Sequence, residues 1–416
     1  MAISQTPRPQ PQATSHRLTA HYDLAIVGGG IVGLTLACAL QRSGLTVAII
    51  EAQTLAQTAA RQRAYAFSPM SARIFRKLGI WDRVGPHITH FQRVRMSDAD
   101  CPSVVNFRLS DTPHEAVYYG AEHPVLMRAL QERVQDLPMV TGWYEAKLVN
   151  VRTTAEAVCL TVDADGQRVE LTTDLLVGAD GARSRVRDWA GIKTAGWQYW
   201  QSCVTTVLKP EKSHQDTAYE KFWPSGPFAI LPLPGDRCQV VWTAPHDEAK
   251  AMMALPHEQF MAELKRRYGN DMGDVTMLTE PLMFPVRLMQ SHQYAKPRLA
   301  LIGDAAHCCH PVGGQGLNMG IRDAAALAEV LLTAQKRKED LGSLRVLKRY
   351  ERWRRTENWL ILGLTDILNR SFSNQFWPLQ TVRRLGFWIM NRVALLRKIA
   401  LRVMTGFFGR TPFIRG

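Results

Sequence analysis

The stretch YDLAIVGGGIVGLTLACALQRSGLTVAIIEA, residues 22–52, decides the fold class. A short apolar run rich in β-forming residues ends in three glycines, and apolar residues with helical spacing follow. A second apolar run then ends at Glu51. A strand, a glycine turn, a helix and a second strand in this order form a βαβ unit of a parallel sheet. The sequence therefore predicts an α/β protein whose first sheet begins here.

The spacing of the glycines adds a prediction about binding. Gly28 permits a tight turn, Gly30 lets a pyrophosphate approach the backbone, and Gly33 lets the helix pack closely on the strand. The N-terminus of the helix offers unpaired N–H groups to the phosphates. Glu51 can accept hydrogen bonds from an adenosine ribose, which disfavours a 2′-phosphate at that position. The motif thus predicts a dinucleotide site and leaves FAD and NAD open.

Two later stretches have the same order of strand, turn and helix. In DLLVGADGARSRVR, residues 174–187, the residues alone fit an ordinary turn before a basic, solvated helix equally well. In RLALIGDAAHCCHPVGGQGLNMGIRDAAALAEVLLTA, residues 298–334, glycines precede the helix. This second helix N-terminus is predicted to offer another backbone site for an anion or a polar ring, with Asp304 placed to accept hydrogen bonds from a ribitol chain.

These three stretches resemble the class A FAD-dependent aromatic monooxygenases, the relatives of para-hydroxybenzoate hydroxylase. They are most similar to the ubiquinone-biosynthesis hydroxylases within that class. IVGGGIVGLTLACALQRSGLTVAIIEA, GADGARSRVR and GDAAHCCHPVGGQGLNMGIRDAAALAE carry the resemblance, which covers nearly the whole chain after the first 20 residues. The resemblance implies an α/β fold: a Rossmann-like FAD-binding domain, an inserted antiparallel-sheet substrate domain and a C-terminal helical region.

The resemblance also implies the chemistry and assigns cofactor contacts. FAD is the implied cofactor, with O₂ as co-substrate and aromatic hydroxylation through a flavin C4a-hydroperoxide. NADPH or NADH would be a transient reductant, or a separate protein would donate electrons. Arg61 is the alternative to Arg63, and His123 stands where the family more often has Asn, Gln or Arg. The implied cofactor-binding residues are Gly28, Gly30, Gly33, Glu51, Arg63, His123, Asp180, Gly181, Asp304, Pro311, Gly314, Gln315, Gly316, Leu317 and Asn318. No catalytic side chain can be named.

The cluster from His307 to His310, with Cys308 and Cys309 between, contains zinc-binding residue types. Adjacent cysteines point in different directions, however, and no second cluster is placed to complete a tetrahedral site. We therefore predict no metal and assign these residues to the flavin loop. A redox role for the two cysteines is the alternative.

The predicted domains follow from these motifs. The middle segment alternates as strands do and is predicted to form an antiparallel sheet over the flavin. Its candidate wall residues are Tyr118, Tyr119, Trp223, Phe228 and Trp242, for which burial in the sheet core is the alternative. The predicted ranges are a disordered tail at 1–20, the FAD-binding domain at 21–91, 174–187 and 291–345, the substrate domain over the rest of 92–290, and basic C-terminal helices at 346–416.

Charge and cysteine usage indicate the surroundings of the protein. The net charge of the chain is +14. The residues from Arg345 onward account for most of it, because they include 15 Lys and Arg and only three acidic residues. Basic and apolar residues interleave in residues 359–409, which fits either an anionic membrane surface or a charged outer face of packed helices. No nucleic-acid motif accompanies the charge, so nucleic acid is not a predicted partner. The seven cysteines are scattered without a CxxC pair, which is typical of a reducing compartment. The predicted location is cytoplasmic and peripheral on a membrane.

The sequence thus predicts an FAD monooxygenase that hydroxylates a prenylated phenol in ubiquinone- or plastoquinone-type biosynthesis. One alternative keeps FAD and changes the substrate to another lipid or a small aromatic molecule. The other is a non-catalytic FAD- or lipid-binding subunit of a quinone-synthesis complex.

Overall fold

The computed structural model describes residues 19–98 and 104–413. The strands are β1 (Thr19–Val27), β2 (Val47–Ile50), β3 (Ala64–Phe67), β4 (Thr89–Phe91), β5 (Arg93–Asp98), β6 (Val104–Arg108), β7 (Tyr118–Glu122), β8 (Val140–Trp143), β9 (Ala146–Thr153), β10 (Val158–Ala164), β11 (Gln167–Gly178), β12 (Thr194–Pro210), β13 (Thr217–Trp223), β14 (Gly226–Leu233), β15 (Arg237–Pro245), β16 (Val275–Met277), β17 (Leu282–Ser291), β18 (Ala295–Lys296), β19 (Leu299–Leu301) and β20 (His307–Cys308). The helices are α1 (Ile31–Ala39), α2 (Leu55–Ala59), α3 (Pro69–Lys77), α4 (Trp81–Val84), α5 (His123–Gln135), α6 (Arg185–Trp189), α7 (His246–Met253), α8 (His257–Tyr268), α9 (Gln315–Lys336), α10 (Leu344–Phe372), α11 (Trp377–Arg392) and α12 (Ala394–Met404). Short 3₁₀ turns lie at Gly85–His87, Leu109–Asp111, Gly303–Ala305 and Val312–Gly314.

The first sheet is parallel at its centre, in the order β18-β19-β11-β1-β2-β8. Val27 at the end of β1 lies beside Ile50 of β2 and Gly178 of β11, and Gly178 lies beside Leu301 of β19. The carboxyl ends of four strands therefore meet at one edge, where open α/β sheets bind ligands. This confirms the predicted Rossmann-like α/β arrangement.

Three strands of the middle segment, β8, β9 and β10, join this sheet instead of the antiparallel one. β10 forms a hairpin with β11 through Asp165 and Gly166, which both have positive φ, and β9 pairs with β10. This differs from the predicted boundaries, which assigned all of 92–290 except 174–187 to the substrate domain. The cause is the length of β11: its first half pairs with β10 and its last three residues with β19.

The second sheet is the expected antiparallel layer, in the order β20-β17-β12-β15-β14-β13-β5-β6. One of its faces packs on α7 and α8 through a core that contains Phe228, Trp242 and Phe260. Its other face turns toward the carboxyl edge of the first sheet. A small sheet, β3-β7-β4, lies between the two.

The C-terminal helices close the remaining side. α10 packs along α9, and Phe372, Phe387 and Leu401 enter one apolar core with Phe222 of the second sheet. The tail predicted at 1–20 lies outside the described residues except for Thr19 and Ala20, which begin β1.

Candidate active site

A cavity of about 450 Å³ lies where the edge of the first sheet, the second sheet and the loop before α9 meet. This volume lies in the range of small-molecule sites. Polar groups and backbone turns line one end of the cavity, and mainly apolar side chains of the second sheet line the other.

The glycine turn after β1 forms the polar end. A Cβ at Gly28, where φ is +112°, would lie 2.3 Å from the carbonyl oxygen of Ala179, and one at Gly33 would lie 2.1 Å from that of Gly28. These two glycines therefore fix the packing of strand, turn and helix. A Cβ at Gly30, the N-cap of α1, would meet no atom within 4 Å. The helix N-terminus thus faces open space of the kind that a pyrophosphate needs.

Glu51 is held against this turn. Its Oε2 accepts a hydrogen bond from the backbone N–H of Gly29 at 2.8 Å, and its Oε1 accepts one from Gln53 at 2.9 Å. Each carboxylate oxygen keeps a further lone pair. The side chain is therefore oriented at the end of β2 and can still accept bonds from ribose hydroxyls.

Arginines and one histidine line the wall between the two ends. Arg61 and Arg63 both reach the cavity, and the Arg63 guanidinium lies 5.4 Å from the ring centre of Tyr65. His123 also lines it, but its Nδ1 pairs with the Tyr65 hydroxyl at 2.9 Å and its Nε2 with the carbonyl of Thr58 at 2.8 Å. Burial lowers the pKa of His123, so the ring is neutral. Both nitrogens are thus engaged within the protein, and His123 supports the wall.

The Asp-Gly turn after β11 contributes backbone to the same end. Gly181, with φ of +80°, lines the cavity, whereas Asp180 lies behind it. Oδ2 of Asp180 accepts the N–H groups of Arg185 and Val186 at 2.7 and 3.1 Å, which caps α6. Its Oδ1 is buried without a partner, and burial raises the pKa of this carboxyl.

The loop before α9 forms the floor. Asp304, Pro311, Gly314, Gly316 and Leu317 line the cavity. Gly313 and Gly314 have φ of +70° and +61°, and a Cβ at Gly314 would lie 2.7 Å from that of Ala66. Both glycines are therefore needed for the shape of the loop.

Gln315 and Asn318 are not among the residues that line the cavity, and their side chains bond to protein groups. Gln315 Nε2 donates to the hydroxyl of Tyr118 and to the carbonyl of Met404, both at 3.1 Å. Asn318 Nδ2 donates to the carbonyl of Ala66 at 2.7 Å. Contact of these two residues with the cofactor stays a prediction.

The sequence matches the model of the FAD binding domain over residues 21–363. The chain belongs to this family of flavin monooxygenases. It is 48% identical to an uncharacterized protein of Synechocystis, with 94% of each chain covered. It is 38% identical to the ubiquinone hydroxylase UbiL of Rhodospirillum rubrum (92% of this chain, 89% of that one) and 34% identical to the 3-demethoxyubiquinol 3-hydroxylase of Escherichia coli (92% and 98%).

Solved structures share the fold. The p-nitrophenol 4-monooxygenase PnpA of Pseudomonas putida superposes with a TM-score of 0.80 at 20% identity, over 94% of this chain and 99% of that one. The family model and the relatives confirm the resemblance to class A flavin monooxygenases, and FAD is the cofactor of this enzyme. The open space at Gly30 and the backbone of the floor loop fit that cofactor.

The cluster from His307 to His310 is part of the FAD-binding domain, and its side chains have protein partners. His307 Nε2 pairs with Asp323 at 2.5 Å, and His310 Nδ1 accepts the N–H of Val312. Within residues 19–98 and 104–413, no group of three His, Cys, Asp or Glu side chains is placed to hold a metal ion. Burial raises the pKa of Cys308 to about 12 and also raises that of Cys309, so neither thiol supplies the thiolate of the redox alternative.

Four of the five predicted wall residues lie away from the cavity. Tyr118 lines it, but Tyr119 packs edge-on against Trp81, and Trp223, Phe228 and Trp242 belong to the other face of the second sheet. The prediction failed because both faces of this sheet are buried, so aromatic content does not distinguish them. Their alternating neighbours form the wall: Ala218, Glu220, Phe222, Ala229, Leu231 and Val241.

Glu220 is the functional candidate that the sequence prediction missed. It lies on the cavity face of β13 between Ala218 and Phe222, and its Oε1 is buried without a hydrogen-bond partner. Burial raises the pKa of this carboxyl to about 8, which a backbone hydrogen bond from Gly313 only partly offsets. The sequence pattern that could have indicated it is the acidic residue in the strand TAYEKFW, which lies on the same strand face as the apolar residues two positions before and after it.

Proposed function

We propose that this FAD-dependent monooxygenase hydroxylates the aromatic ring of a prenylated phenol in quinone biosynthesis, of the ubiquinone or plastoquinone type. Two relatives that span almost the whole chain are named for hydroxylation of ubiquinone or of a demethoxyubiquinol. The observation that carries the proposal is the apolar end of the cavity, which is bounded by helices whose outer faces are also apolar.

FAD would lie with its pyrophosphate at Gly30 and its ribose at Glu51. Arg63 would face the cofactor from the side, and Asp304 and Leu317 would contact it from the floor loop. Bound and reduced by NADPH, NADH or a donor protein, FAD would react with O₂ at its C4a carbon and supply one oxygen atom to the ring, the other leaving as water. The apolar wall of the second sheet would exclude water from that step.

The C-terminal helices give a route for a prenyl chain. Leu368 of α10 and Met404 at the end of α12 line the apolar end of the cavity. Ile367, the neighbour of Leu368, is 62% exposed on the outer surface of α10. A hydrocarbon chain that leaves the ring pocket between these helices would therefore stay on apolar surface, which supports a prenylated substrate over a small polar one.

The same helices carry the surface that we propose for an anionic membrane. Arg384, Arg392, Lys398 and Arg402 are exposed there. The exposed apolar residues beside them are Trp377, Val382, Leu385, Trp388, Leu395 and Ile399. Aromatic and apolar side chains bordered by basic ones suit the interface of an anionic bilayer. In the part of the chain that the structure describes, no helix has the length and hydropathy of a membrane span.

Two arginines counted in this basic face turn inward instead. Arg383 is buried and pairs with Asp98 at 2.6 Å, and Arg397 pairs with Asp111 at 3.3 Å. These pairs fix α11 and α12 to β5 and to the turn after β6. The surface proposed to meet the membrane is therefore held rigidly over the cavity.

Turnover of matched substrates tests the reaction. Purified FAD-loaded enzyme is mixed with a 2-prenylphenol or with the phenol lacking the prenyl chain, using NADPH and NADH in parallel, and product is identified by mass spectrometry. We expect one added oxygen atom per reductant consumed, with a higher kcat/KM for the prenylated phenol. Reductant consumption that yields only hydrogen peroxide with every phenol would contradict the proposal and favour the non-catalytic alternative.

Sedimentation with vesicles tests the surface. The variant Trp377→Ser/Trp388→Ser should bind phosphatidylglycerol vesicles more weakly than the wild type, whereas Met139→Ser, which removes an exposed apolar residue of the first domain, should bind equally well. Equal binding of all three proteins at low salt would contradict the membrane surface.

A further inference from the structure

A buried carboxyl without a cation lies at the apolar end of the cavity. Glu220 lies on β13 beside Met96 of β5 and Ala229 of β14, on the strand face that also presents Ala218 and Phe222 to the cavity. In residues 19–98 and 104–413, no ion pair reaches Glu220, and one of its oxygens has no hydrogen-bond partner. A buried polar atom left in this way costs stability, so such an atom calls for an explanation in function.

The position of Glu220 relative to the cofactor site gives that explanation. Gly313, in the floor loop that is to face the flavin, lines the same cavity as Glu220, and its backbone lowers the pKa of the Glu220 carboxyl. The carboxyl therefore lies next to the floor loop, at the cavity where the ring to be oxidised must lie. A phenol hydroxyl is a donor of the right size and polarity for this acceptor.

We infer that Glu220 binds the hydroxyl group of the aromatic substrate and accepts its proton. The inference rests on the proposed function and names a catalytic residue for it. The proton passes from the phenol oxygen to the Glu220 carboxylate, and the electron pair of the O–H bond stays on oxygen. The resulting phenolate carries more electron density on its ring, which favours attack on an electrophilic oxygen. The carboxyl returns the proton to the product oxygen and is ionised again.

The surroundings make Glu220 a base suited to neutral pH. A base works best when its pKa lies near the working pH, and burial brings this carboxyl into that range. The ionisable groups on the elements around it are Arg93, Arg95 and Asp98 of β5, Tyr219 and Lys221 of β13, Cys203 of β12 and Tyr118 of β7, with Arg383 paired to Asp98 and with Arg63 and Asp304 at the flavin end. Burial and the hydrogen bond from Gly313 are the influences on the pKa of Glu220; none of these groups is among them.

Its charge also discriminates among substrates. When Glu220 is ionised, above its pKa, a small aromatic acid would bring a second carboxylate toward its charge. A neutral phenol meets no such repulsion. The inference therefore favours neutral phenols and disfavours the aromatic-acid alternative.

The test compares a phenol with its methyl ether in FAD-loaded protein. Binding of 2-prenylphenol and of its O-methyl ether is followed by the change in flavin absorbance for the wild type, Glu220→Gln and Glu220→Asp. Glu280→Gln is the matched control, because it makes the same chemical change at an exposed site of the same domain. At a pH above the pKa of Glu220, the wild type and the control should bind the phenol about tenfold or more tightly than the ether, as expected for a hydrogen bond to a charged group. Glu220→Gln should lose most of this preference.

The pH profile of kcat/KM gives the second readout. For the wild type, kcat/KM should fall roughly tenfold per pH unit below the pKa of the base. That limb should be absent in Glu220→Gln and present at a lower rate in Glu220→Asp, provided that both retain one FAD per chain. If Glu220→Gln keeps the wild-type preference for the phenol and the wild-type pH profile, the role of Glu220 is refuted and the proposed function is not. Wild-type protein that binds neither ligand would refute the proposed substrate class together with it.

Discussion

Substitution of Gly30 by valine is expected to remove FAD while leaving the fold intact. Gly30 has φ of −80° and ψ of 179°, an extended conformation that valine readily adopts, and a Cβ there would meet no protein atom within 4 Å. The structural cost is that of a poorer helix cap, about 1 kcal/mol. The new side chain would occupy the space at the N-terminus of α1 that the pyrophosphate requires. Loss of two charge-assisted hydrogen bonds of about 1.5–3 kcal/mol each would weaken FAD binding by roughly 10²–10⁴-fold.

Two further glycines provide the comparison. Gly33→Ala would place a Cβ 2.1 Å from a backbone carbonyl that cannot rotate away, so it should lower the stability of the apoprotein by about 3 kcal/mol, the upper end for overpacking. Gly363→Ala adds a methyl group to open space in α10 and should stabilise the helix by up to about 1 kcal/mol.

The assay is FAD per chain after gel filtration, from visible absorbance, together with thermal unfolding of each apoprotein. Gly30→Val should be colourless and unfold close to the wild type, and Gly363→Ala should be fully yellow. A Gly30→Val protein that keeps one FAD per chain would refute the placement of the pyrophosphate at this helix.

Three further predictions concern the buried groups. Arg383→Met leaves the Asp98 carboxylate buried and unpaired, so it should lower the free energy of unfolding in urea by about 3–5 kcal/mol; a loss below about 1 kcal/mol would mean that the pair is not formed. Cys308→Ala/Cys309→Ala should keep FAD near one per chain, as visible absorbance measures it, since neither thiol is ionised; a colourless double variant that has lost stoichiometric zinc would restore the metal interpretation. Glu220 makes the apoprotein less stable as pH rises, because the unfolded carboxyl ionises from about 4.5 upward while the folded one keeps its proton to about 8. Glu220→Gln should thus be more stable than the wild type by about 5 kcal/mol at pH 9 and by little at pH 4.5, measured by denaturant midpoints; an equal gain at both values would exclude ionisation as the cause.

The cofactor end of the cavity could be predicted from the sequence because its requirements are local. The close approaches at Gly28 and Gly33 allow only glycine, and Glu51 ends the strand beside them. The conditions at Gly33 and Glu51 depend on residues within one βαβ unit, and the condition at Gly28 depends on Ala179 in the turn after β11. The structure therefore has the strand, turn and helix in the order that the sequence predicts.

The substrate end depends on contacts that sequence patterns do not contain. The alternation in β13 places Glu220 and Phe222 on one face of the strand and Trp223 on the other. Because helices bury the face that carries Trp223, both faces are buried, and the sequence pattern does not indicate which one meets the cavity. Arg383 looked like a surface charge because its partner, Asp98, lies 285 residues away in the chain.

The hydrogen bond that the Tyr118 hydroxyl donates to the carbonyl of Met404, 2.5 Å long, has a consequence for the synthesis of the protein itself. It joins the end of α12 to the cavity. Gly30, the first residue along the chain that lines this cavity, emerges from the ribosome early. Domains fold as the chain emerges from its N-terminus, so the βαβ unit can form while most of the cavity has yet to be translated. FAD stabilises only a state that binds it. It can therefore stabilise the chain only when translation is nearly complete. Supply of the vitamin-derived cofactor would then govern how much of the newly made enzyme survives in the cell, and not how fast it is translated.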